Sequence, residues 1–282
     1  MNIVQAVEDA LVRAGSTFSE DKIEAYQRAI NSETNERAKW VLQTILDNAE
    51  AAQRDRSPLC DDTGIPHLVL DMGKNQSLST KELDDIYIGV EEGLRKLPGR
   101  PMALLGDDEQ RIDQSAGISE LSEMVLPAPL QIRRIEEEVR RLHVLMLGGG
   151  PAIRAKTYRV FHKHSVQAVE DEIVSWSVES TAQLGCSPCT LAIGIGRSHY
   201  EAASLMIQAM VDGNYRCQSE LENRITDRVN QMHTGPLGLG GDHTVLGTFL
   251  KVGPQRASGV RIVSIRPCCC FEPRIATIEL TL

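Results

Sequence analysis

The sequence predicts a mixed fold of α-helices and β-strands (mixed α/β, α+β) in a single large domain over residues 1–282. The N-terminal third is expected to be helical and the C-terminal part rich in strands. Amphipathic segments fill residues 1–56, and short apolar runs of strand length recur from residue 67 onward. The hydrophobic content of 41% is enough for a large core. No linker, internal repeat or low-complexity segment marks a domain boundary.

The spacing of apolar residues locates the individual elements. Helices are predicted over residues 3–14, 19–31, 33–56, 81–97, 165–183, 198–211 and 217–232. Strands are predicted over residues 67–72, 140–147, 190–195, 245–251, 260–265 and 275–282. Residues 100–139 have a weaker pattern from which no element is predicted.

The overall charge argues against one class of partner. The formal net charge is −9 and the isoelectric point is near 5.3, whereas a nucleic-acid-binding surface needs an excess of basic residues. The sequence contains no apolar run of about eighteen residues and no recognisable signal peptide. We therefore expect a cytoplasmic protein with no contact to a membrane.

The seven cysteines do not form the pattern of a disulfide framework, because their number is odd and three of them are consecutive. Cysteines at turns in a reducing compartment are typical of metal ligands or reactive groups. Cys60, Cys186 and Cys270 each lie in a loop beside a predicted element. Cys189 and Cys217 are equally compatible with small buried side chains.

The stretch from Leu184 to Ser198 combines a cysteine in a Ser-Pro turn with a strand, two glycines and the start of a helix. Ser198 is expected to cap that helix. The free N–H groups of a helix start attract anions, and Arg197 adds a positive charge there. This pattern predicts a thiolate at one end of the strand and an anion site at the other end.

Five motifs in order then resemble those of the class I iron–sulfur hydro-lyases, the family of fumarase and L-tartrate dehydratase. Cys60-Asp61-Asp62-Thr63-Gly64 is similar to the Cys-Gln-Asp-Thr-Gly motif of that family. The remaining four are Gly148-Gly149-Gly150, Cys186-Ser187-Pro188 with Gly194-Ile195-Gly196, Gly235-Pro236-Leu237-Gly238-Leu239-Gly240-Gly241, and Cys270-Phe271-Glu272-Pro273-Arg274. Together they cover nearly the whole chain, whose length suits a separate alpha subunit.

The resemblance implies a [4Fe–4S] cluster whose cysteine ligands are Cys60, Cys186 and Cys270. An iron without a cysteine ligand would then act as a Lewis acid in adding or removing water on a small hydroxy-dicarboxylic acid. Three adjacent cysteines leave the third ligand open between Cys269 and Cys270.

The resemblance also implies roles for residues around the cluster. Asp62 is the candidate for acid/base or orienting work. His243 is a candidate proton carrier because of its position directly after the glycine-rich loop, independently of the resemblance. The candidates for binding the substrate carboxylates are Arg100, Gly149, Gly150 and Arg274. Each of these residues also has a purely structural interpretation, such as a turn-capping aspartate or a surface arginine.

The sequence departs from the family pattern at several positions. Asp61 replaces a glutamine, Arg197 stands where a small residue is usual, and the last motif keeps one arginine. These departures leave the substrate open, including a diacid other than fumarate or tartrate.

Partners and alternative functions follow from the same motifs. The resemblance implies a separate beta subunit in a hetero- or homo-oligomer, and little activity for this chain alone. One alternative is a non-catalytic metal or cluster protein that uses Cys186, Cys189 and Cys268–Cys270. The other is a degenerate homologue that serves as an assembly partner and binds no cluster.

Overall fold

Helices and strands are mixed along the chain in the computed structural model, which describes residues 2–280. The helices are α1 (Ile3–Ser16), α2 (Glu20–Ser32), α3 (Glu36–Asp55), α4 (Thr80–Lys96), α5 (Asp108–Asp113), α6 (Gly149–Ala152), α7 (Val166–Leu184), α8 (His199–Asp212) and α9 (Glu220–Asn230). The strands are β1 (Ile65–Gly73), β2 (Gln131–Ile135), β3 (Arg140–Leu147), β4 (Lys156–Phe161), β5 (Cys189–Gly196), β6 (Val245–Val252), β7 (Val260–Cys268) and β8 (Ile275–Glu279). The mixed fold with a helical N-terminal part is confirmed.

The predicted helices and strands all occur, with ends that differ by a few residues. The sequence analysis missed α5, α6, β2 and β4. Both missed strands lie at an edge of their sheet, where exposed and charged side chains replace the apolar run of a buried strand. Residues 281–282 of the last predicted strand lie outside the described residues. Within residues 2–280, no helix combines the length and the apolar character needed to cross a membrane.

The chain divides into two compact units, each with its own four-stranded sheet. The first unit comprises the chain up to Phe18, Ala49–Gly148 and the chain from Arg274 onward. The second comprises Ser19–Asn48 and Gly149–Pro273. The assignment of residues 1–282 to one hydro-lyase alpha-subunit domain stays a prediction.

The sheet of the first unit has the strand order β2-β1-β3-β8. Strand β1 runs parallel to β2 and antiparallel to β3, which is antiparallel to β8. Helices α1 and α4 contribute Leu11 and Ile86 to the same hydrophobic core as Leu70 and Val144 of the sheet. This core is built mainly from aliphatic side chains, in agreement with the composition.

A ladder of polar side chains crosses this sheet on the face opposite to Leu70. Arg133 Nη2 donates to Asp71 Oδ2 over 2.8 Å, and His143 Nε2 lies 3.1 Å from the same oxygen. His143 Nδ1 lies 2.9 Å from Thr277 Oγ1. Burial raises the pKa of Asp71, but the hydrogen bonds from Arg133 and His143 outweigh it and lower the pKa overall. The ladder therefore carries an ionised carboxylate whose charge is compensated.

The sheet of the second unit has the strand order β4-β7-β5-β6. Strand β5 is buried along its whole length. Helices α7 and α9 join its odd-numbered side chains, such as Leu191 and Ile193, in one core. Helix α8 packs on the other face at Gly194, where an added Cβ would lie 2.1 Å from Ala202 O. The two glycines at the end of this strand thus allow a helix to approach closely.

We predict that Gly194→Ala destabilises the chain, because the new methyl group meets helix backbone that cannot move aside. The expected loss is about 1–3 kcal/mol of the free energy of unfolding. Gly259→Ala is the matched control, since an added Cβ there has nothing within 4 Å. Urea unfolding of both variants is the measurement, and equal stability of the two would contradict the packing described for α8.

Candidate functional site

The loop Cys60–Gly64 lies at one end of the first sheet, directly before β1. Ile65 pairs with Leu147 at the end of β3, so the loop lies beside the start of the triple glycine. A Cβ on Gly148 would lie 2.6 Å from Asp62 Oδ2, which shows how closely the carboxylate approaches that backbone. Cys60 is half-buried in the same loop. The structure thus brings the first motif and the second together.

Arg274 lies at the same end of the first sheet, directly before β8. Its side chain is 1% exposed. Its guanidinium donates to Met146 O and to Asp62 O, both over 2.9 Å. Arg274 therefore holds the backbone of the Cys60–Gly64 loop against β3. Its predicted contact with a substrate carboxylate stays a prediction.

Arg100 pairs with Asp61, with 3.0 Å between Nη1 and Oδ2. Both side chains are exposed, so the pair adds little stability. Arg100 also borders an open cavity of about 660 Å³ that Met102, Leu104 and Ser119 help to line. The acidic residue that departs from the family pattern thus has a basic partner in the loop beside it, and this pairing was not predicted.

The turns that carry Cys186 and Cys270 lie together at one end of the second sheet. Strands β5 and β7 are antiparallel, and Thr190 pairs with Cys268. The start of β5 is therefore adjacent to the end of β7. The backbone N–H of Cys270 donates to Cys186 O over 2.9 Å. This hydrogen bond joins two predicted ligand turns directly.

The glycine-rich loop before β6 reaches the same place. Strands β5 and β6 are parallel, with Cys189 paired to Val245. Ser187 Oγ donates to Gly235 O over 2.7 Å, and the backbone N–H of Leu237 donates to Ser187 O over 3.0 Å. Within the second unit, the Cys186 turn is thus hydrogen-bonded both to the glycine-rich loop and to Cys270.

The seven cysteines differ in their exposure to solvent. Cys189 and Cys268 are completely buried, and burial raises the pKa of both thiols. Cys186 is exposed. A hydrogen bond with the half-buried Cys269 and burial raise the pKa of Cys270. Cys189 and Cys268 therefore have the character of structural core residues, and the third ligand stays open between Cys269 and Cys270.

Lys22 and Tyr26 are two buried residues of α2 that contact the last motif and were not predicted as site residues. Lys22 Nζ donates to Glu272 O over 2.8 Å, and Tyr26 Oη donates to Cys270 O over 2.7 Å. Burial lowers the pKa of Lys22 to about 8, although the neighbouring Cys269 and Cys270 favour its charged form. The side-chain amine of Lys22 is therefore mainly protonated at neutral pH. The available signal was the position of Lys22 on the buried stripe of α2, which consists of Lys22, Ala25, Tyr26 and Ala29.

His243 follows the glycine-rich loop, and its Nε2 lies 2.9 Å from Ser32 Oγ. Burial lowers the pKa of His243, although Glu33 and Asp242 oppose that effect. The neutral imidazole is therefore favoured in the folded chain. The predicted role of His243 as a proton carrier stays a prediction.

The triple glycine leads into the short helix α6. The backbone N–H of Ile153 donates to Gly149 O over 3.0 Å, and Arg154 Nη1 donates to Gly150 O over 3.1 Å. Both carbonyl groups thus support the turn after β3. The predicted use of the Gly149 and Gly150 N–H groups in binding an anion stays a prediction.

The predicted anion site at the start of α8 was wrong. Ser198 caps the helix as expected, because its Oγ accepts from Glu201 N over 3.1 Å. The carboxylate of Glu201, however, accepts from both the backbone and the guanidinium of Arg197, at 2.6 and 2.7 Å. An acidic side chain of the helix itself thus takes the position expected for an external anion.

The donor set of the second unit fits an iron–sulfur cluster. Among residues 2–280, no three His, Cys, Asp or Glu side chains are grouped as they would be around a bound metal ion. Thiolates are nevertheless the ligands of such clusters, and Cys186 and Cys270 lie on turns joined by a backbone hydrogen bond. The buried ammonium of Lys22 adds a positive charge that favours thiolate ligands.

Glu33 fixes the glycine-rich loop, and its removal is expected to destabilise the chain. Its buried carboxylate accepts from the backbone N–H groups of Asn35, Asp242 and His243, at 2.9, 2.9 and 3.2 Å. Glu33→Gln places an amide donor among these donors, with an expected loss of about 1–3 kcal/mol. Glu36→Gln, at an exposed position, is the control. Thermal and urea unfolding measure the difference, and equal stability of the two variants would contradict this role.

Comparison with known proteins places these motifs in one family. The sequence profile of "Fumarate hydratase (Fumerase)" matches residues 4–279. A Methanocaldococcus jannaschii protein, provisionally named L(+)-tartrate dehydratase subunit alpha, is 26% identical over 99% of both chains. The L(+)-tartrate dehydratase subunit alpha of Escherichia coli K12 is 22% identical over 94% of this chain and 87% of its own length. The chain therefore belongs to the fumarate hydratase family of hydro-lyases.

Proposed function

We propose that this chain is the alpha subunit of a [4Fe–4S]-dependent hydro-lyase that adds or removes water on a small hydroxy-dicarboxylic acid. The observation that carries the proposal is the direct contact between motifs that are far apart in the sequence. In the second unit, the Cys186 turn is hydrogen-bonded to both Cys270 and the glycine-rich loop. Family membership supplies the reaction class.

The proposed cluster ligands are Cys60, Cys186 and Cys270, with Cys269 as the alternative for the third. The exposed thiol of Cys186 and the turn of Cys270 support two of these assignments. Cys60 is supported by its position in the loop before β1, which also carries Asp62. When bound, an iron without a cysteine ligand polarises the hydroxyl and carboxylate of the substrate.

Asp62 is the proposed base, because its carboxylate lies against the backbone of Gly148 in a loop held by Arg274. In dehydration it takes the proton from the carbon next to the hydroxyl-bearing carbon. The electron pair of that C–H bond becomes the second bond of the alkene, and the hydroxyl leaves. His243 is the proposed proton carrier of this step. It would give the proton that completes the departing water from its protonated form, which burial disfavours and Glu33 and Asp242 favour.

The substrate carboxylates are assigned to basic side chains and backbone N–H groups. Arg100 is exposed and holds Asp61 through a single ion pair, so a substrate carboxylate can take the place of that aspartate. Arg274 and the N–H groups of Gly149 and Gly150 are the other proposed contacts. Arg100 borders an open cavity, which leaves space for a substituent other than that of tartrate. The proposal therefore includes diacids other than fumarate and tartrate.

A separate beta subunit is the proposed partner, within a hetero- or homo-oligomer. Support comes from the relatives, which are named as alpha subunits. The proposal expects the chain to have little activity without that partner. A cytoplasmic location is part of the proposal, because cysteines that do not form a disulfide framework suit a reducing compartment.

A non-catalytic metal protein remains the second candidate, and Cys60 separates the two. A zinc protein based on Cys186, Cys189 and Cys268–Cys270 would tolerate the loss of Cys60. The complete burial of Cys189 and Cys268 favours the hydro-lyase over this candidate. A degenerate assembly partner would bind no cluster at all.

We predict that Cys60→Ser loses the cluster. The anaerobically purified wild-type chain is expected to contain about four irons and four sulfides. The variant should contain much less, because serine replaces a thiolate ligand. Cys217→Ser, at an exposed cysteine outside the motifs, is the control and should retain the wild-type content. Iron and acid-labile sulfide assays measure this; zinc in place of iron, or full retention in Cys60→Ser, would reject the proposed site.

We also predict that Asp62→Asn lowers kcat for dehydration by roughly 10²- to 10⁴-fold, the usual range for removing a general base. Its iron content and melting temperature should stay close to the wild-type values. Asp84→Asn, at an exposed position of α4, is the control. The assay uses hydroxy diacids with the co-purified partner. An Asp62→Asn enzyme with wild-type kcat would exclude Asp62 as the base.

A further inference from the structure

The turn Cys268–Glu272, here called the cysteine turn, is held by two side chains from a helix far away in the sequence. We propose that Lys22 and Tyr26 of α2 are positioning residues for the third cluster ligand. Tyr26 fixes the backbone of the cysteine turn, and Lys22 supplies a buried positive charge beside its thiols. This inference rests on the proposed function, since it assumes that the turn binds a cluster.

The geometry of the turn shows how completely its backbone is fixed. Lys22 and Tyr26 are one helical turn apart and donate to the carbonyl oxygens of Glu272 and Cys270, at 2.8 and 2.7 Å. On its other side, the N–H of Cys270 donates to Cys186 O. The N–H of Glu272 donates to Cys269 O over 3.0 Å. The direction of the Cys270 backbone is therefore determined from two sides.

The charged side chains at the cysteine turn have different partners, and these partners distinguish Lys22 from Arg266. Glu272 is fully buried, and its carboxylate forms an ion pair of 3.0 Å with the guanidinium of Arg266. That carboxylate charge is thus compensated within the turn. Lys22 is 1% exposed and its Nζ donates to the backbone carbonyl oxygen of Glu272, so its charge lies inside the protein beside the turn that carries Cys269 and Cys270. A cluster bound by thiolates of this turn would place negative charge beside that buried cation.

A purely structural role and a positioning role predict different measurements. If Lys22 only fills space and bonds a carbonyl, its replacement changes stability alone. If its charge acts on the cluster, its removal also changes the reduction potential, because a nearby cation stabilises the more negative, reduced state. Lys22→Met keeps the aliphatic stem, Lys22→Arg keeps the charge, and Tyr26→Phe removes one hydroxyl.

The test uses the full chain, purified anaerobically and reconstituted with iron and sulfide. We measure iron per chain, its loss in air, and the reduction potential of the cluster by titration followed by electron paramagnetic resonance. Lys22→Met should shift the potential to a more negative value and lose iron faster than the wild type. Tyr26→Phe should lose iron faster with a potential close to the wild-type value. Lys74→Met, at an exposed lysine, should change neither.

The outcomes separate this inference from the function on which it rests. A wild-type chain that takes up no iron overturns the proposed function and this inference with it. A cluster-loaded Lys22→Met chain with wild-type potential and iron retention overturns the inference alone. Lys22→Arg provides the second check where Lys22→Met does not fold. The charge role predicts a potential close to wild type for this variant, and a large negative shift would contradict it.

Discussion

Strand register is the constraint on which the candidate site depends. In the second sheet, antiparallel pairing of Thr190 with Cys268 places the turn before β5 beside the turn after β7. Parallel pairing of Cys189 with Val245 brings the loop before β6 to the same edge. In the first sheet, pairing of Ile65 with Leu147 brings the Cys60–Gly64 loop beside Gly148, where the triple glycine starts. Motifs that are distant in sequence therefore meet because their strands are neighbours.

Much of this arrangement is predictable from the sequence where the signal is local. The apolar run from Thr190 to Ile195 defines a buried strand, and Ser198 defines the start of a helix. Strand order is not local, so the contact between the Cys186 and Cys270 turns could not be derived from spacing. The edge strands β2 and β4 were not predicted, because they lack a continuous apolar run.

Electrostatic partners account for the remaining differences. Arg197 was predicted to attract an external anion. Its guanidinium instead pairs with the carboxylate of Glu201, four residues later in the chain. Asp61 introduces a negative charge into the first motif, and Arg100 compensates it from a residue far along the chain. Lys22 lies on an apolar helix stripe, where a charge has no local explanation. In each case the partner becomes visible only in three dimensions.

The most direct test is whether a hydroxy diacid binds to one iron of the proposed cluster. The measurement is Mössbauer spectroscopy of the chain loaded with ⁵⁷Fe, together with its co-purified partner, before and after addition of L-tartrate or malate. The three proposed cysteine ligands would leave one iron able to bind a substrate oxygen. With this ligand set, we expect one iron subsite to change its isomer shift while the others do not. Identical spectra with every hydroxy diacid tested, or a uniform change at all irons, would contradict it.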